Sequence, residues 1–217
     1  MTTFPGSPRL FKGAIVSIDQ STSLPSIILF QYNPETMTRK LEARAAGGDG
    51  GSRSEVFRLS GPPKETITLK IELDVADQLE RGEPQAIALG IYPAIAALEL
   101  LLYPKSTDIV FNAALAQFGN IEIVPPEGPL TFFVWGPARV LPVRITSFSV
   151  TEHAYDPALN PMRAEIDLSL QVLSYADFQA SHVGSQIFLA HQIIKELMPF
   201  ANLASSAINV GASLNIL

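Results

Sequence analysis

Alternation of apolar and polar residues with period two is the strongest pattern along this chain. Its cleanest instance is residues 65–74 (ETITLKIELD). Ile67, Leu69, Ile71 and Leu73 face one way, and Thr66, Thr68, Lys70, Glu72 and Asp74 the other, which predicts a half-buried antiparallel strand. A long hairpin is predicted further on, with a rising arm over 143–154, a turn over 155–161 and a returning arm over 162–173. The returning arm places Ala164, Ile166, Leu168, Leu170 and Val172 inside. The rising arm changes phase, from Val143 and Ile145 to Phe148 and Val150, which a β-bulge near Thr146–Ser147, or burial of the two faces at different heights, would explain. The tip, AYDPALNP, contains Asp-Pro and Asn-Pro and predicts a defined loop.

Shorter strands are expected at 11–19, 27–33, 36–44 and 130–135. In the first, Ala14, Val16 and Ile18 share one face, and Ile15 and Ser17 the other. Asn33-Pro34 separates the second from the third, because proline brings no N–H to a ladder and drives the residue before it out of the helical region. The arm after this corner carries Arg39, Lys40, Glu42 and Arg44 and is the wetter of the two.

Helical periodicity appears in two places. Over 91–103, Ile91, Ile95, Leu98 and Leu102 recur at spacings of three and four, with a possible start at Pro84 and a kink at 90–93. Over 185–199, Ile187, Ala190, Ile194, Leu197 and Met198 share a face. The stretch 200–217 is apolar with little charge, and is expected to form a weak helix that docks on a neighbour. Residues 107–126 are ambiguous: 108–111 and 120–124 read as short strands around an Ala-rich turn or helix. The glycine-rich 45–54 (AAGGDGGSRS) reads as a mobile loop. The fold class is therefore mainly β with flanking helices: an antiparallel β-barrel or sandwich over 1–176 with one internal helix, plus a helical C-terminal extension over 177–217.

Composition sharpens this picture. Of 217 residues, 47% are hydrophobic but only 17% charged, so part of the surface is expected to be buried against partners. The net charge of −6 argues against nucleic acid as the main ligand. Without cysteine there are no disulfides, thiolate metal sites or cysteine nucleophiles. No apolar run is long enough for a signal peptide or a membrane span.

Candidate chemistry is sparse. His153, His182 and His191 lack the spacing of helical metal ligands. Asp156 and Asn160 at the hairpin tip read as a turn rather than a calcium loop. The glycines at 47–51 lack the lysine of a phosphate-binding loop, and no Gly-x-Ser-x-Gly occurs. The carboxylates Glu65, Glu72 and Asp74 read as a solvated strand face rather than an acid–base pair. Trp135 suits a core or interface. Neither a catalytic set nor a cofactor or metal site is expected, and the chain is not read as an enzyme.

Four stretches together resemble a known family: FQYNPETMTR at 30–39, GIYPAIAALELLLYP at 90–104, FVWGPARVLPVRITSFSVTEHAYDPALNPMRA at 133–164, and FLAHQIIKEL after it. They resemble the tube-domain adaptor of contractile injection systems, the phage-tail-like particles of antifeeding-prophage type. That resemblance spans about 10–195 of the chain. It implies a fold similar to inner-tube proteins and a hexameric ring. The ring would sit in the baseplate between the central spike and the inner tube and initiate the tube. Implied partners are the tube, spike and other baseplate proteins, with no nucleic acid and no membrane insertion. Implied localisation is assembly in the bacterial cytoplasm within an injection particle, released or membrane-anchored with it. Family members commonly end in a LysM module. Here 177–217 shows no LysM-like pattern, so a peptidoglycan-binding role is not carried over.

Two other classes compete with this reading: a small-molecule-binding β-barrel, and a baseplate hydrolase for which no catalytic set exists. As inter-subunit contacts the reading selects Tyr32, Asn33, Pro34, Arg39 and Lys40 around the corner, Tyr155, Asp156 and Asn160 at the hairpin tip, and Leu214 and Leu217 in the tail. Charge reversal at Arg39 and Lys40 is expected to impair ring stacking more than folding.

Overall fold

A computed structural model describes residues 11–18, 25–44, 59–117 and 128–210, with no account of the side chains of 117 and 201–210. The glycine-rich 45–54, the proposed strand at 120–124, and Leu214 and Leu217 lie outside the described residues.

Among the described residues, seven strands form one antiparallel sheet: β1 (Ala14–Ile18), β2 (Pro25–Leu29), β3 (Met37–Glu42), β4 (Lys64–Asp74), β5 (Leu130–Val134), β6 (Val140–Tyr155) and β7 (Pro161–Val172). Their spatial order is β2-β1-β5-β6-β7-β4-β3. The expected barrel or sandwich is not formed. β2 and β3 are the two ends of the sheet and share no ladder, so it stays open. The reason lies in the connection between them. β2 pairs only with β1 and β3 only with β4, and the segment joining them turns through Pro34, which has no N–H to offer.

The open sheet is nevertheless curled. Gln31, two residues beyond the end of β2, hydrogen-bonds the backbone of Asp74 at the end of β4. In a flat sheet β2 and β4 would be five inter-strand steps apart, roughly 24 Å at about 4.8 Å per step. Two residues of chain and one side chain reach only about 12 Å.

One face of the curl holds the core. Ile67, Leu69, Ile71 and Leu73 of β4, Ala164, Ile166, Leu168, Leu170 and Val172 of β7, and Leu141, Val143 and Ile145 of β6 form a single buried cluster with Phe30 and Phe133. The returning hairpin arm thus buries the five residues that alternation selects. The bulge also falls where the phase change places it. Ile145 pairs with Leu170, Ser147 with Ser169, and Thr146 is the extra residue. Its hydroxyl donates to the Ser169 carbonyl at 3.1 Å. In β1 Ile15 and Ser17 are buried, as is the small Ala14, while Val16 is only half-buried beside the exposed Ile27 and Leu29 of β2.

Five helices complete the described residues: α1 (Ala76–Glu80), α2 (Pro84–Leu89), α3 (Tyr92–Glu99), α4 (Ser106–Gln117) and α5 (Val183–Val210). The break between α2 and α3 is at Gly90, inside the expected kink. Gly90 has φ +57°, and a Cβ there would lie 2.2 Å from the Pro161 carbonyl oxygen. Ile91, Ile95 and Leu98 are buried, whereas Leu102, expected on the same face, lies past the end of α3 and is 45% exposed. Residues 108–111, one of the two stretches read as short strands, are helical within α4. The short apolar run Ile109-Val110-Phe111 fits either element, and length decides for a helix once Ser106 to Gln117 continue it. α5 runs unbroken through Pro199, where one backbone hydrogen bond is lost.

Candidate interaction surface

Chain direction and turn chemistry place the predicted contact residues in three regions. The first is the corner. Asn33 is held by both ends of its side chain: Oδ1 accepts from the Gly13 N–H at 2.8 Å, and Nδ2 donates to the Phe11 carbonyl at 2.9 Å. Asn33 thus extends the β1–β2 pairing with a side chain after the backbone has left it. Tyr32, Asn33 and Pro34 border a cleft of about 360 Å³ whose far wall is Lys70 and Glu72 of β4. Gly13 is required beneath them, since a Cβ there would come within 2.7 Å of the Phe30 and Trp135 rings. Trp135 stacks on Phe133 at 5.8 Å and is partly buried against the core.

The second region is the start of β3 and β4, where Arg39 and Lys40 part company. Lys40 is exposed and pairs with Glu42 at 2.7 Å, which raises its pKa through that hydrogen bond and charge and lowers that of Glu42. Arg39 instead turns inward and donates through Nε and Nη2 to one oxygen of Glu65 at 2.7 and 2.5 Å. Glu65 is only 4% exposed. It lies on the apolar face of β4, opposite Glu72, and does not share a solvated face with Glu72 and Asp74. Lys195 of α5 approaches its second oxygen at 3.9 Å. Next to this pair, His191 is buried, its Nδ1 3.2 Å from the Ala138 carbonyl and its Nε2 without a hydrogen-bond partner. Burial holds the imidazole below its ordinary pKa. Burial also lowers Arg139, with the Arg39 charge adding to the effect. The buried Arg39–Glu65 pair, with Lys195 of α5 at 3.9 Å, therefore ties α5 to the sheet. Its sequence signal was the odd position of Glu65 within an odd-numbered apolar stripe.

The third region is the hairpin tip, whose polar groups are engaged within the chain. Asp156 accepts from the backbone N–H groups of Ala158 and Asn160 at 2.8 Å each, and from the Asn160 amide at 2.8 Å. These bonds, the Asn160 side chain first, hold its carboxyl below the usual range. The same Asn160 amide donates to the Ala88 carbonyl at the end of α2, and the Ile91 N–H donates to the Pro161 carbonyl. The tip is thus docked on α2–α3. Two large side chains stay exposed there, Leu159 and Tyr155, the latter with its hydroxyl bonded to Glu152.

Sequence reasoning under-read the helical apolar surface. Leu100, Leu102 and Tyr103 after α3, Ile109, Val110 and Phe111 on α4, and Ile193, Leu197, Met198 and Phe200 on α5 are all exposed. Both outer edges of the sheet, on β2 and β3, are also unpaired among the described residues.

No group of three or more His, Cys, Asp or Glu that could hold a metal occurs among the described residues. Among the same residues, no helix is long and apolar enough to cross a membrane. The inner face of the sheet is filled by its own side chains, Phe30, Phe133, Leu141 and Leu168 among them.

No protein-family model matches the sequence, and no curated protein matches it. Solved structures that are distantly similar include the following two. One is a chain from the virion of a native gene transfer agent particle, with 11% identity over 74% of this chain and 90% of that chain and a TM-score of 0.30. The other is from the tail of an empty gene transfer agent particle refined helically with C6 symmetry, with 11% identity over the same shares and a TM-score of 0.28. A likeness this loose carries no argument about what the present chain does.

Proposed function

We propose that this chain is a structural component of a phage-tail-like contractile injection particle. It forms a baseplate ring that joins the central spike to the inner tube and starts tube assembly. The observation that carries the reading is the amount of associating surface left on a single copy: two free sheet edges and two apolar helices. Surface of this extent on a chain with only 17% charge suits permanent burial in an assembly. The sequence resemblance over 30–39, 90–104 and 133–164 supplies the kind of assembly. The first 176 residues then form the ring body, and 177–217 an extension that reaches a neighbour. Lys40, Tyr32 and Tyr155 are the corner and tip residues whose exposed side chains suit contacts between copies.

Mass photometry of the purified chain, followed by electron microscopy, tests this directly. Hexamers or stacked rings are expected, together with capture of an inner-tube protein and a spike protein. A chain that stays monomeric at tens of micromolar and binds neither would sink the proposal. A small-molecule-binding role has less support, because the inner face of the sheet is occupied by its own side chains.

A further inference from the structure

We propose that the distal half of α5 packs head to tail on the α3–α4 surface of a second copy of this chain. The inference rests on the oligomeric reading above and names the contact. Among the described side chains, α5 is seated on the body through its first ten residues. Gly184, Ser185 and His191 are buried and Gln192 is half-buried. From Ile193 to Phe200 every side chain is exposed, and the helix continues to Val210. At about 1.5 Å per residue, the exposed stretch from Ile193 to Phe200 alone is roughly 12 Å of helix.

This free segment is not a solvated helix. Ile193, Leu197 and Phe200 follow one another at spacings of four and three and form a stripe, with Ile194 and Met198 beside it. Its two charges are already engaged: Lys195 turns toward Glu65, and Glu196 accepts from Gln192. α4 has the complementary problem. None of its described side chains is buried, and Ile109, Val110 and Phe111 are 54%, 68% and 63% exposed. A helix of this length is marginal in water without a packed face.

Each copy therefore carries one uncovered apolar rod and one uncovered apolar surface. The exposure of α4 shows that its own α5 does not cover it. Five large side chains on the rod, at roughly 100 Å² each and matched on the other side, bury about 1,000 Å² in total, the lower bound of a specific interface. The α3–α4 surface extends the match with Leu100, Leu102 and Tyr103. A rod on one copy seated on a different surface of the next is a heterologous contact, which closes into a ring or grows as a filament. The two elements also leave the body at the same end. Leu101 and Leu102 share a cleft with Val143 and Ile145, and Lys195 reaches Glu65 at the start of β4. Copies joined this way lie side by side at one level, as a closed ring requires.

Two variants test the contact. Leu197→Glu disables the rod and Phe111→Glu the surface, and both sites are solvent-exposed in one copy, so folding is unaffected by circular dichroism. Light scattering on each variant alone should show self-association at least about a hundred-fold weaker than wild type. Mixed in equal amounts, they should form a dimer that does not grow, because the mixture holds one intact rod and one intact surface. If either variant unfolds, Ile193→Gln and Val110→Gln replace them. Wild-type rings with unaffected variants would overturn the contact alone. So would variants that fail singly and are not restored by mixing. A monomeric wild type would overturn both the contact and the ring.

Discussion

The side-chain amide of Gln31 brackets the backbone of Asp74: Nε2 donates to the Asp74 carbonyl at 2.6 Å, and Oε1 accepts from the Asp74 N–H at 2.8 Å. A side chain thus makes the pair of bonds that a neighbouring strand would have made. It closes the upper edge of β4, which β3 leaves unpaired beyond Leu69. Gln31→Ala should expose both backbone groups and cost about 1–3 kcal/mol. Gln31→Glu should be no better, since a carboxylate oxygen would face the Asp74 carbonyl. Chemical denaturation measures the cost, and hydrogen exchange at the Asp74 amide should speed up in both variants. Unchanged exchange there would show that the bracket is dispensable.

Arg39 and Lys40 are neighbours in sequence with opposite roles. Arg39→Ala leaves Glu65 buried without its hydrogen-bonded partner, with Lys195 no closer than 3.9 Å. We expect a loss of about 3 kcal/mol, the lower end for stranding one partner of a buried pair, because Arg39 itself retains 26% exposure. Charge reversal at Arg39 would therefore unfold the corner before it reported on stacking. Lys40→Glu should change stability by less than about 0.5 kcal/mol, and it is the informative variant for assembly. Thermal unfolding of the two variants side by side separates these roles.

His191 gives the fold a pH dependence with a definite sign. Its pKa in the folded chain lies below the ordinary value, chiefly through burial, so the unfolded chain binds the proton more readily. The stabilisation is present above the ordinary histidine value near 6.5, and is lost as pH falls below it toward the folded pKa. Protonation would also place a third positive charge beside Arg39 and Lys195. Unfolding midpoints measured from pH 8 to 5 should fall, and His191→Gln should flatten that slope. An equal slope in the variant would assign the effect elsewhere.

Gly90→Ala should be among the most damaging single substitutions. It forces a Cβ to 2.2 Å from the Pro161 oxygen at φ +57°, and should cost about 3 kcal/mol or more. Gly82→Ala, at φ +65° with open space around it, should cost only about 1 kcal/mol. The difference between the two melting curves isolates the packing of the hairpin tip from backbone strain.

What could be read in advance followed from local periodicity. The phase shift at Thr146 was legible because two alternating segments of opposite parity must be joined by an extra residue. The Gly90 kink was legible because proline and glycine punctuate a helix. Openness of the sheet was not legible, since it depends on which strands lie at its ends, and alternation says nothing about partners. The inward turn of Glu65 was written in its parity but overlooked, because a carboxylate is normally assigned to water. α4 was misread over 108–111 because four apolar-rich residues carry too little period to separate strand from helix. The corner was correctly located, but its capture of Gly13 and Asp74 by side chains depends on residues far away in sequence.

The contact between Gly90 and Pro161 means that the long hairpin is not a free antenna. Its tip is bonded to the end of α2 through Asn160 and to the start of α3 through Ile91. α3 then carries the buried Ile95 and Leu98 along the core toward Leu101, at the root of α4. A load applied at the tip is therefore delivered through a packed strut to the opposite end of the body, and the two ends move as a single lever.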